Sequence, residues 1–422
     1  MVFFVTRNTM ATAVTQAKKV ASLTGGGSLW WVGGQDWDAR DWHGFQIEGT
    51  TYGAYLIESQ GDCVLIDTVK ASFADELLDR VRSVVKLEDV SRLLVLHSEP
   101  DHTSGVNHVL EHLPNAKVTC GKKTRQLMQA QYSLDRECQI LEHDDTLTVG
   151  NATLKFGKVP MLHWPDSSYA YLMEDKVLFS NDAFGQHFCG DYPFCDQHDR
   201  SHVSREMNSY AANILTPFTG EKGTMNKGLT RVLATTGGEI STICPSHGVM
   251  FRTPEDVQMA LERYTSYANQ TQIRPKVLVL YDSMYGHTVT IARAIEEGVY
   301  STGAEVKLMH TRHTATEAFD SACVAIGSPT LNMTVMPSVH STLGYLKGLE
   351  LLKNKPVAAF GCYGWSINNI KEMHKLLGDA KGEVLEDLAV KQLWAASGDT
   401  LASARDLGIE LGKRALSKCK KE

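Results

Sequence analysis

The sequence predicts an α/β protein in two parts, a sheet-rich first region followed by a doubly wound parallel sheet. Three observations lead there. The chain has 422 residues, more than one average domain of roughly 100–200 residues. Up to about residue 268 it reads as short β-branched or apolar runs broken by Gly, Asp and Asn turns, the pattern of strands joined by tight connections. After the polar stretch ANQTQIRP at 268–275, strand-like and helix-like segments alternate, which implies parallel strands covered by helices. The expected division is an N-terminal extension at 1–18, a first domain at 19–268, a linker at 269–275 and a second domain at 276–422.

Composition narrows the function. With 43% hydrophobic and 22% charged residues the chain can bury a core over most of its length. Lys plus Arg number 42 against 49 Asp plus Glu, a net charge of −7, so no global basic field attracts nucleic acid. No segment approaches the roughly 18 uninterrupted apolar residues of a membrane span. Nine cysteines, an odd number without any C-x-x-C pair, argue against a disulfide scaffold or a structural zinc site and suit a reducing cytoplasm. The first residues are Ser/Thr-rich with Arg7, Lys18 and Lys19, but their apolar cluster precedes the charges. A secretory leader has the opposite order, so the segment reads as an extension.

In the first region the strand-like runs are TTYGAYLIE, DCVLID, SRLLVLH, KVTCG, TLKFGKVP and KVLFSND, with helical stretches at 72–86, 104–113 and 253–267. The most informative run is LLVLHSEPDHTSG, in which a strand at 93–96 enters His97, Glu99, Asp101 and His102. Continued extension would point 97, 99 and 101 to one side, and Pro100 and Gly105 bend the loop back. Taken singly, each residue also fits a polar loop before a helix, with Asp101 as its cap. Together with His163, Asp182 and His247, each just past a strand-like run, they form a set of hard oxygen and imidazole donors suited to cations.

The second region orders itself as strand 276–282, helix 288–301, strands 304–310 and 321–327, helix 338–347, strand 356–361, helix 366–377, a strand near 390–395 and helix 399–416. Three loops follow strand C-termini. DSMYGHT supplies Ser283, Met284, Tyr285, Gly286, His287 and Thr288, and its backbone amides and hydroxyls can wrap a phosphate at a helix start. It lacks the lysine of a Walker loop and the G-x-G-x-x-G of dinucleotide folds. GSPTLNMT offers Ser328, Pro329, Thr330, Leu331 and Asn332, and FGCYGWS offers Cys362, Tyr363, Gly364 and Trp365. Trp365 reads either as a stacking surface or as a filler beside the sheet.

H-x-E-x-D-H with a later His, Asp and His, followed by these three loops, resembles the flavodiiron proteins, over about residues 19–418. The resemblance implies a metallo-β-lactamase-like αβ/βα sandwich followed by a flavodoxin-like domain, with FMN and two non-heme irons as cofactors. Carried over by position, His97, Glu99 and His163 would bind the iron nearer the flavin, Asp101, His102 and His247 the other, and Asp182 both. The counterpart of His102 is a ligand in some members and turned away in others. The hydrolases of the superfamily carry histidine where this chain has Glu99, and the exchange adds negative charge and hard oxygen donation that favour iron over zinc. His187 is a candidate for a place behind the ligands, Tyr210 resembles a tyrosine near the metal pocket but also fits core packing, and Cys362 stands where the family usually has serine.

The implied activity is reduction of dioxygen to water, of nitric oxide to nitrous oxide, or of both, with oxygen slightly favoured. Without a C-x-x-C there is no fused rubredoxin, so a separate rubredoxin or a flavin or NAD(P)H reductase would supply electrons. The family arrangement implies a head-to-tail homodimer or a dimer of dimers, in a cytoplasmic protein. Two other readings remain at this point: a dizinc hydrolase fused to a flavodoxin, for which Glu99 is the wrong residue, and a flavin electron carrier, which needs no intact ligand set.

Overall fold

A computed structural model describes residues 16–312 and 314–420; most of the N-terminal extension lies outside them. The chain forms two compact units, one made of residues up to Met207 with Lys222–Thr265, the other of Asn208–Glu221 with the residues from Ser266 onward. The excursion at Asn208–Glu221 was invisible in the hydropathy pattern. It joins the second unit through hydrogen bonds from the Tyr345 hydroxyl to Asn213 Oδ1 at 2.8 Å and from Tyr267 to Asn208.

The first unit stacks two sheets. The seven-stranded sheet runs, in spatial order, Lys18–Ser22, Ser28–Trp31, Tyr55–Ser59, Asp62–Ile66, Val90–Val95, Lys117–Gly121 and Cys138–Leu141. The five-stranded sheet runs Thr146–Val149, Ala152–Lys158, Ser168–Leu172, Val177–Asn181 and Thr242–Pro245. Period two decides what each residue packs against. Val64, Ile66, Leu94 and Leu96 meet Leu154, Phe156, Phe179 and Cys244 between the sheets. Their neighbours Cys63, Leu65, Leu93 and Val95 face Leu77, Val81, Val109 and Met128 of the covering helices. Strands buried on both faces explain the continuous apolar runs of the sequence.

The second unit holds a six-stranded sheet in the order Glu305–His310, Arg274–Tyr281, Ser321–Gly327, Pro356–Tyr363 and Glu383–Val384, with Val390–Leu393 also paired to Pro356–Tyr363. The strand pairs are parallel. The order reverses at Arg274–Tyr281, and ligands of such sheets bind beyond the strand C-termini at that switch point. The helices His287–Tyr300 and Gly398–Cys419 cover one face, with Ile291, Ile295, Leu407 and Leu411 against Val277, Val279 and Ala358. No described helix is long and apolar enough to cross a membrane.

Those two helices touch through glycines. A Cβ on Gly298 would lie 2.1 Å from Arg405 O, and one on Gly408 2.1 Å from Ile295 O. Alanine in a helix normally gains about 1 kcal/mol over glycine. Gly298→Ala should instead destabilise the second unit by about 1–3 kcal/mol through overpacking, read as a lower denaturant midpoint; a gain would show that the helices separate at no cost.

Candidate metal centre and flavin cavity

At one end of the sandwich, loops from both sheets converge. His97 lies two residues beyond Val90–Val95 of the larger sheet. Asp182 directly follows Val177–Asn181, His247 follows Thr242–Pro245, and His163 lies in the loop after Ala152–Lys158, all of the smaller sheet. The chain leaves the extended conformation after Glu99, at the bend expected at Pro100. Pro100, with φ preset for a first helical position, starts a single turn Pro100–Thr103. Asp101 therefore sits inside the turn rather than capping it, and His102 follows on the same turn.

The seven predicted residues come together as two half-sites around one carboxylate. Asp182 Oδ2 lies 3.2 Å from His163 Nε2 and 3.4 Å from His97 Nε2. Its Oδ1 lies 2.9 Å from His102 Nε2 and 3.7 Å from His247 Nε2. Glu99 Oε2 closes the first group, 3.2 Å from His97 and 3.5 Å from His163. Asp101 Oδ2 closes the second, 3.0 Å from His247 and 3.4 Å from His102. Donor atoms each about 2.1 Å from a shared ion are themselves about 3–3.5 Å apart, so the spacing fits two cations with Asp182 between them.

All seven are buried or nearly so; Asp182 is 1% and His102 0% exposed. Both oxygens of Asp101 and Asp182 and both ring nitrogens of His102 make no hydrogen bond. Buried polar groups are rarely left so, and metal coordination is what such a set fits. Burial alone would lower the pKa of His102, but Asp101 and Asp182 overcome it and push it up to about 9. Burial would raise Glu99 and Asp182, yet the surrounding imidazoles hold both below the usual carboxylate range. The carboxylates thus stay anionic, as ligands must.

Residues that the sequence pattern did not single out fix the imidazoles. Buried Asp166 accepts from His97 Nδ1 at 3.1 Å and from the Ser98 amide at 2.8 Å. The Thr51 carbonyl accepts from His247 Nδ1 at 2.7 Å. Asp67, pushed up to about 6 by burial, accepts the Leu96 amide at 2.7 Å. Thr51 lies on the short strand Thr50–Tyr52, and Gly53 just after it lets the chain pass against Pro245 and Ser246, where a Cβ would meet Pro245 O at 2.5 Å. Asp166 is only three residues beyond His163, a signal the sequence carried in plain sight. His43, largely exposed, has Nε2 3.5 Å from Glu99 Oε1.

His187 stands behind the site, its Nδ1 2.9 Å from Thr50 Oγ1 and its ring centroid 4.7 Å from that of His247. Burial and the neighbouring His247 hold its pKa well below the usual value. Tyr210, 2% exposed, packs in the interior.

In the second unit the three loops line a cavity of about 400 Å³. Met284, Tyr285 and His287 come from the first loop, Pro329 to Met333 from the second, and Cys362 to Ser366 from the third. Trp394, beyond the predicted loops, completes the wall. Its ring packs so close that a Cβ on Gly364 would come within 2.9 Å of it and displace it. Trp365 is 88% and Tyr285 75% exposed, which removes the core-filler reading of Trp365 and leaves bare aromatic faces for a planar ligand.

Ser283, Gly286, Thr288 and Ser328 shape the loops rather than the wall. Ser283 Oγ accepts from the Gly286 amide at 3.0 Å, and Gly286 has φ +86°, a conformation glycine adopts without strain. Thr288 Oγ1, fully buried, lies 3.3 Å from Cys362 Sγ. Ser328 Oγ donates to Pro329 O and accepts from the Met336 amide, both at 2.8 Å. Asn332 and Met333 both have positive φ, strain of the sort that gathers at ligand sites.

If Asp166 sets the His97 tautomer and orientation, Asp166→Asn should weaken metal binding by about 10–100-fold, measured by competition with a chelator. Unchanged affinity would mean that the ring is fixed by packing alone.

Residues 51–248 match the family described as ODP family beta lactamase, and residues 279–404 match flavodoxin. The solved flavodiiron protein from Giardia intestinalis is similar with a TM-score of 0.90 and 36% identity, over 96% of this chain and 98% of that one. Rubredoxin-oxygen oxidoreductase of Megalodesulfovibrio gigas is 36% identical over 82% of this chain and 86% of its own length. Nitric oxide reductase of Moorella thermoacetica is 34% identical over 92% and 97%. With two half-sites sharing one aspartate, a flavodoxin cavity of the expected loops and these relatives, the chain belongs to the flavodiiron protein family.

Proposed function

We infer that this protein is an oxidoreductase that reduces dioxygen to water, nitric oxide to nitrous oxide, or both, with FMN in the second domain supplying electrons to two irons in the first. The observation that carries this reading is the shared Asp182, one oxygen facing each histidine pair, with Glu99 completing a half-site where a hydrolase would place a third imidazole. His97, Glu99 and His163 would hold one iron, Asp101, His102 and His247 the second, and Asp182 both. The irons supply electrons and open coordination positions for a small gas.

The chain's own residues do the rest. Burial of the set excludes bulk water. Asp166 and the Thr51 carbonyl keep Nδ1 of His97 and His247 engaged, which leaves Nε2 directed at the cluster. Tyr285, Trp365 and Trp394 offer apolar faces to the isoalloxazine, and the loop at Ser283–Thr288 its amides and hydroxyls to the phosphate. We divide the chain functionally into a diiron domain at 19–268 and an FMN domain at 276–422.

A separate rubredoxin as electron donor is supported by the name of the Megalodesulfovibrio relative. A head-to-tail homodimer rests on family membership. Nine free thiols, seven of them buried, suit a reducing cytoplasm.

The test is anaerobic purification, quantification of iron, zinc and flavin per chain, chemical reduction, and stopped-flow mixing with oxygen or nitric oxide. About two irons and one flavin with rapid reoxidation are expected, and the faster gas names the preferred substrate. Two zincs, or reoxidation no faster than free flavin, would overturn the reading. Glu99→His should raise zinc retention and abolish turnover; full turnover with unchanged iron would remove Glu99 from its role.

A further inference from the structure

The helix Val106–His112 packs against Leu93 and Val95 of the larger sheet through Val106, Val109 and Leu110. Its outer face presents His108 and Glu111, both exposed, and the half-buried His112. The run reads H-V-L-E-H at 108–112. Residues three and four apart on a helix share one face, and the two imidazole rings have their centroids 4.8 Å apart. Two histidines at i and i+4 with a glutamate between them form the helical pattern that holds zinc in several metalloenzymes, because both rings reach one ion from the same side.

Hydrogen bonds prepare both rings for such a role. His112 Nδ1 donates to the carbonyl of His108 at 3.0 Å. A carbonyl only accepts, so the proton sits on Nδ1 and the lone pair is on Nε2. His108 Nε2 lies 2.6 Å from Asp75 Oδ1, on the neighbouring helix Ala74–Arg82. By the same reasoning the lone pair of His108 is on Nδ1. Imidazoles that ligate metals ordinarily have this arrangement, one nitrogen donating to an oxygen and the other coordinating.

We propose that His108 and His112 bind one divalent cation of the zinc and copper class, with Glu111 as third ligand and Asp75 orienting His108. Imidazole nitrogen selects such ions over magnesium and calcium, which prefer sites made of oxygen alone. The face is open, so water completes the coordination and the ion exchanges with solvent. Asp75 and the histidines belong to adjacent helices, and an ion held here ties the two together and stabilises the folded state. The site is separate from the buried residues around Asp182 and does not depend on the redox reading.

The test uses the full-length protein loaded with iron and flavin, titrated with zinc chloride in isothermal titration calorimetry. One saturable event per chain is expected in the parent, lost or about 100-fold weaker in His108→Gln/His112→Gln and about tenfold weaker in Asp75→Asn. Glutamine suits an exposed helix at least as well as histidine, so the double variant should keep its fold, its flavin and its basal turnover. Zinc should raise the melting temperature of the parent more than that of the double variant. Zinc binding by the double variant equal to that of the parent, or magnesium binding as tight as zinc binding, would overturn the site.

Discussion

Asp182 has to remain ionised while almost wholly buried, with one oxygen turned to His163 and His97 and the other to His102 and His247. A buried carboxylate is stable only when opposite charge lies close, and here two more carboxylates crowd the same space. Their mutual repulsion raises the demand for positive charge, which the imidazoles meet partly, as the elevated pKa of His102 records. One cation in each half-site would satisfy the remainder. The rest of the first unit can be read as the apparatus that keeps these groups from relaxing away from one another.

That apparatus is the pair of stacked sheets. The larger sheet delivers His97 and the turn bearing Glu99, Asp101 and His102; the smaller delivers Asp182, His163 and His247. The core between them, from Leu94 and Leu96 to Phe179 and Cys244, fixes their separation because packed interiors yield little. Hydrogen bonds then set the finer geometry. Asp166 ties the His163 loop to His97, and the Thr51 carbonyl, on a strand held close by Gly53, ties down His247.

The flavin cavity follows a different logic. Its wall is built from loops at the C-terminal ends of parallel strands, where backbone amides and aromatic faces gather because the sheet order reverses there. Large aromatic residues remain exposed at its mouth, Trp365 above all, and such surface is stable in a globular protein mainly where something covers it. The metal site demands burial and rigidity, and the flavin site demands access; separate units meet the two requirements.

The division between what was legible in the chain and what was not has a physical basis. The α/β class, the order of strands in the second part and the seven donors in the first are local facts: period-two runs, strand-to-loop junctions and a dense motif of chemically distinctive side chains need no knowledge of distant contacts. Glu99 in place of a third imidazole is equally a one-residue statement, and it directed the reading toward iron. The pairing of oxygens within Asp182, the support of His97 by Asp166, the closure of the flavin wall by Trp394 and the attachment of Asn208–Glu221 to the second unit all depend on residues far apart in the chain. Periodicity and propensity carry information over a few residues only. Which groups meet across the sheets, and which hydroxyls are left without a partner, was decided by tertiary packing.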